Sequence, residues 1–106
     1  MPTYLIVRRA RGPAWNPAVP MRSQAQWAEH AAFMNGLAAE GFIVLGGPLG
    51  TGELLAGEEV LLIINAIREE AVRARFDADP WTKSGQLIIT RVEPWTVLLR
   101  ADRVSD

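Results

Sequence analysis

The chain of 106 residues has no cysteine and a single histidine, His30. The first absence removes disulfide frameworks, thiolate nucleophiles, Fe–S clusters and cysteine-based zinc sites together, and it fits a reducing compartment. The second would leave a metal site to be built largely from carboxylates, so no metal is expected. An excess of charge is missing too. With 11 basic and 12 acidic residues the formal net charge is -1, which leaves no electrostatic footprint for nucleic acid or an anionic membrane surface. Nor is there a long hydrophobic run: VLLII, Val60 to Ile64, is far below the roughly 20 residues needed to span a bilayer. The opening MPTYLIVRR lacks the charged start, apolar stretch and cleavage site of a secretory signal. These readings predict one cytoplasmic domain over residues 1–106, with neither nucleic acid nor membrane as partner.

What is present reads as alternating short strands and helices. Tyr4 to Val7 predict a first strand. The segment Ala10 to Ser23, with three prolines and no helical period, predicts a loop that covers a pocket, clamps a partner or simply crosses the surface. Ser23 followed by Gln26 matches a capping box, so a helix is expected over Gln24 to Glu40 with Gly41 as its left-handed stop. Trp27, His30, Met34 and Leu37 then share one stripe of that helix. Phe42 to Leu45 form a second strand that leads into a glycine-rich turn, Glu59 to Asn65 a third, Arg68 to Asp77 a second helix without a strong cap, and Gln86 to Val92 a fourth strand. A break is expected at Pro94-Trp95, followed by a short extension and a charged tail.

This order, β-α-β-β-α-β, is α+β and ferredoxin-like, with both helices on one face of an antiparallel sheet. Strand three is apolar on both faces, yet the helices cover only one. A second copy packed sheet to sheet would cover the other, which predicts a homodimer.

The stretches HAAFMNGLAAEGFIVLGGPL (His30 to Leu49), FDADPWTKSG (Phe76 to Gly85) and RVEPW (Arg91 to Trp95) resemble the YciI-like, or YCII-related, family. The resemblance implies a dimeric α/β barrel of ferredoxin-like subunits and an active site centred on a histidine and an aspartate, which fall here on His30 and Asp79. Neighbouring families on that barrel include isomerases, monooxygenases and haem proteins, so the fold alone does not select a reaction.

Taken without the resemblance, a lone histidine on an apolar face reads as structural, and Asp79 before Pro80 reads as a helix N-cap. Imidazole also titrates near neutral pH, which suits it to proton transfer, and one carboxylate can cap a helix with one oxygen while orienting an imidazole with the other. Asp77 is the rival aspartate and fits a solvated position better. Trp27 and Trp81 are candidate walls for a planar ring, Arg8 a candidate partner for an anionic substrate group, and Gly47 and Pro48 a turn that brings backbone against a ligand. The expectation is a small homodimeric enzyme with His30 and Asp79 catalytic and Arg8, Trp27, Gly47, Pro48 and Trp81 binding substrate. It would need no cofactor and would carry out an isomerase- or lyase-type proton transfer on a small cyclic or aromatic oxygenated molecule. The alternative is a non-catalytic small-metabolite binding or sensing module on the same barrel.

Overall fold

The computed structural model describes residues 3–101 and the backbone of 103–104. Four antiparallel strands form the main sheet in the order β2-β3-β1-β4: β1 Thr3–Arg11, β2 Ile43–Pro48, β3 Glu59–Ile64 and β4 Leu87–Thr96. Three α-helices accompany them: α1 Trp27–Ala39, α2 Glu69–Phe76 and α3 Pro80–Ser84. The expected α+β, ferredoxin-like arrangement is what the chain adopts. Among the described residues no helix is long and apolar enough to cross a membrane.

Strand β1 runs four residues beyond the expected Val7, because Arg8 to Arg11 keep pairing with β4 and, as far as Ala10, with β3. Side chains alternate across a strand, so Leu5, Val7 and Arg9 all enter the helix-covered side, where they are buried. Leu5 and Val7 join Leu37, Ile43, Leu62, Ile64, Val72 and Phe76 in the core under the helices. Strand β4 likewise runs through Pro94 and Trp95, where a break was expected. It is an edge strand, and there a proline without an N–H leaves no interior ladder bond unmade. The chain after it makes a small ribbon of Leu99–Arg100 with Arg103–Val104; most of the expected charged tail lies outside the described residues.

Helix α1 begins at Trp27, three residues later than the capping-box pattern predicts. Gln26 at its N-cap is left-handed, with φ of 62°, and makes no side-chain cap bond. The reason lies upstream. Ser23 closes a short 3-10 turn, Met21–Ser23. Gln24 is buried and spends its amide on the loop, donating to the carbonyls of Asn16 (2.7 Å) and Val19 (3.1 Å) and accepting from the Asn16 N–H (2.9 Å). At the other end Gly41, with φ of 82°, lets its own N–H reach Ala38 O and the N–H of Phe42 reach Leu37 O, both at 3.0 Å. This is the expected left-handed stop.

The proline-rich segment is tied down at both ends. Gly12 and Ala14 donate to the carbonyls of Gln86 and Gly85, extending the β1–β4 pairing past the strand. Trp15 then enters a second core with Leu54, Trp81 and Leu87.

Two glycines should respond to alanine in opposite directions. A Cβ on Gly12 would overlap the Gly85 carbonyl, backbone against backbone, so Gly12→Ala should cost about 1–3 kcal/mol. A Cβ on Gly36 in α1 meets nothing within 4 Å, so Gly36→Ala should add roughly 0.5–1 kcal/mol. Urea unfolding of the two variants checks both signs.

Candidate active site

Three elements converge under the sheet. Arg9 arrives from the C-terminal part of β1, His30 from the first turn of α1, and Asp79 from the residue that caps α3. The position of Asp79 follows from local sequence: Pro80 supplies the first helical residue, and the Asp79 Oδ1 accepts the Trp81 N–H at 3.0 Å. Its remaining capacity goes to side chains. Arg9 Nη1 donates to Asp79 Oδ2 at 2.8 Å, and Arg9 Nη2 donates to Thr82 Oγ1 at 2.8 Å. His30 Nδ1 lies 2.8 Å from Oδ1 and 3.0 Å from Oδ2 of the same carboxylate. An ionised carboxylate only accepts, so Nδ1 carries the proton. All three residues are buried, with Asp79 fully inaccessible, Arg9 1% exposed and His30 7% exposed.

The imidazole is held in its plane as well as at its edge. It stacks on the indole of Trp81 with centroids 4.0 Å apart and planes 7° from parallel. Trp81 is itself fixed, since its Nε1 donates to Ala25 O at 2.7 Å and Trp15 packs edge-on against it at 5.6 Å.

Burial pushes the Asp79 carboxyl up, but the bonds and charges of His30 and Arg9 outweigh it and hold the group below the ordinary carboxylate value. Burial acts on Arg9 in the other direction, drawing its guanidinium below its ordinary value against the opposing pull of Asp79. The two ions therefore depend on each other for their charge.

His30 borders a cavity of about 410 Å³ between α1, the 3-10 turn and the β2–β3 edge. Trp27, Gly47 and Pro48 line it, as do the apolar side chains of Met34, Val60 and Leu62. Trp81 lies beneath His30, its ring 1% exposed, and supports the site from below. Arg8 is on the opposite face of the sheet, where it meets Glu59 at 3.8 Å and Glu93 at 4.0 Å. The structure thus separates Arg8 from the cavity, because odd-numbered residues of β1 face the helices and even-numbered ones face away. Arg9, which a strand ending at Val7 left unassigned, is the arginine that joins His30 and Asp79. Extending the Leu5–Val7 alternation by one step would have found it. Asp77 is exposed at the end of α2. Among the described residues no three His, Asp or Glu side chains stand close enough to share a metal ion.

The stability that Asp79 contributes has a definite pH window. A carboxyl held below its unfolded value of about 3.9 stabilises fully above that value and loses its contribution as pH falls through the folded one. Asp79→Asn leaves Arg9 buried without its counter-charge, so at neutral pH it should cost about 3–5 kcal/mol. This deficit should narrow below about pH 4, where the wild type loses the same contribution. Denaturant unfolding of both proteins across that range tests the claim, and a deficit independent of pH would contradict it.

No curated protein matches the chain. Among solved structures, the 5-chloro-2-hydroxyhydroquinone dehydrochlorinase of Burkholderia phenoliruptrix AC1100, in complex with 2,5-dihydroxybenzoquinone, matches with a TM-score of 0.60 and 31% sequence identity. The match covers 89% of this chain and 93% of that one. The YCII-related domain model matches residues 3–96, which is nearly the whole sheet-and-helix unit, and the chain belongs to the YCII-related domain family.

Proposed function

We propose that the chain is a small homodimeric cytoplasmic enzyme that uses His30 and Asp79 to move a proton on a small oxygenated ring, in a lyase- or isomerase-type reaction. The observation that carries this reading is the state of the imidazole. Its Nδ1–H is committed to Asp79 at 2.8 Å, its Nε2 makes no hydrogen bond among the described residues, and the ring borders a largely apolar cavity. A histidine held this way has one free lone pair and one place to use it.

In the proposed step Nε2 takes a proton from a carbon or hydroxyl of the ring. The electron pair left behind either expels a leaving group or shifts a double bond. The imidazolium, stabilised by Asp79, then returns the proton to the departing group, to solvent or to a second position on the ring. Asp79 stays ionised throughout, fixing the tautomer. The similar protein of 31% identity is a dehydrochlorinase of a hydroxyhydroquinone, which supports elimination as the form to test first.

Assembly belongs to the same proposal. The sheet face away from the helices carries Leu45, Ile88 and Trp95, at 71%, 45% and 43% exposure, and Leu61 on β3 opposes Gly47 and Arg8 on this face. The polar groups there neutralise one another: Arg8 meets Glu59 and Glu93, and Thr90 donates to Glu59 at 2.6 Å. A self-neutralised, otherwise apolar sheet face suits a second copy of the same chain.

Two measurements test the reading. Incubation with 5-chloro-2-hydroxyhydroquinone should release chloride, and His30→Gln should reduce that turnover by about 10²- to 10⁴-fold with the fold intact; undiminished turnover in the variant would remove the dyad. His30→Gln is the cleaner variant because Asp79 also holds Arg9 and caps α3. Light scattering should report about twice the 11.7 kDa chain mass, and a stable monomer would end the dimer proposal.

A further inference from the structure

We infer that Arg22 makes the cavity selective for a planar ring carrying a negatively charged oxygen; this rests on the enzymatic reading above and names the charge of its substrate. The lining of the cavity includes the cation Arg22 as well as His30 and contains no carboxylate. The rest of the wall is mostly apolar, which suits the body of a ring but leaves an anion only one strong partner.

The other nearby arginines are occupied. Arg9 is buried against Asp79 and Thr82. Arg8 is on the far side of the sheet. Arg11 donates to Leu54 O at 2.8 Å and lies over the Trp15 ring. Arg22, by contrast, makes no hydrogen bond or ion pair among the described residues. Glu53 borders a separate groove that Arg22 also touches, but the two form no ion pair.

The cation is positioned although it is exposed. It sits on the 3-10 turn Met21–Ser23, which is closed by the N–H of Ser23 on Pro20 O and of Gln24 on Met21 O, at 3.0 and 3.2 Å. The buried Gln24 amide anchors that turn to the loop. The guanidinium carbon rests over the Trp27 ring, 5.4 Å from its centroid, a cation–π contact that leaves its N–H groups free. The same indole lies 5.9 Å from the His30 ring. Cation and base therefore border one volume, with Trp27 touching both.

The test is a binding measurement with two rings of the same core, one able to ionise and the other not. 2,5-Dihydroxybenzoquinone has vinylogous-acid hydroxyls that ionise at neutral pH, and its 2,5-dimethoxy analogue cannot ionise. Titration followed by tryptophan fluorescence should show the wild type favouring the dihydroxy ring by about tenfold or more. Arg22→Gln should lower that affinity about tenfold while leaving the dimethoxy affinity within roughly twofold. Equal binding of the two rings by wild type, an Arg22→Gln change that weakens both rings alike, or no effect of the substitution would overturn the charge inference and leave the His30 reading standing. Binding of neither ring would overturn the inference together with the oxygenated-ring reading.

Discussion

The buried ion pair of Arg9 and Asp79 is the constraint around which the rest of the site is arranged. Neither charge is accessible to water, and an isolated ion in that position is expensive enough that each requires the other. Satisfying Arg9 fixes the end of α3, because one terminal nitrogen reaches Asp79 and the other Thr82, one turn apart across the same helix. Satisfying Asp79 takes the Trp81 N–H and the His30 ring as well. One buried carboxylate thus joins β1, α1 and α3, three elements far apart in sequence. The pair has a residual cost, since Arg9 Nε is buried with no partner among the described residues.

The sequence made most of this fold legible through local signals that tertiary structure did not override. Gly41 announced the end of α1, Asp79-Pro80 announced the start of α3, and the apolar run at Val60 to Ile64 announced a central strand. The misreadings arose where long-range partners decide. Ser23 and Gln26 match a capping box, but Gln24 between them is drawn into the loop by Asn16 and Val19, and that competition cannot be seen in a short pattern. Pro94 reads as a break until the strand is known to lie at a sheet edge. Arg8 and Arg9 are indistinguishable by composition, and only the strand's register sends one to the open face and the other to Asp79. The contact between His30 and Asp79, 49 residues apart, was suggested by family resemblance; spacing alone leaves both residues with ordinary structural explanations.

The proline-rich segment links these observations. Ordering so long a loop costs conformational entropy for each residue, and burial of Trp15 and Gln24 offsets it. That burial has a second effect. Trp15 packs against the edge of Trp81, and the face of Trp81 carries His30, so the loop that supplies Arg22 to the cavity also braces the His30 ring through Trp81.

What remains free in such a site is small. Both oxygens of Asp79 are engaged, the indole below the imidazole is hydrogen-bonded through its own nitrogen, and α1 fixes the histidine backbone from the far side. Rotating the His30 ring would break its bond to Asp79 and its stack on Trp81 together. The imidazole therefore has little freedom to move its heavy atoms, and preorganisation of this kind is what the proposed proton transfer requires. The rigidity that keeps Arg9 and Asp79 compatible with burial is thus the same rigidity on which the proposed role of His30 rests.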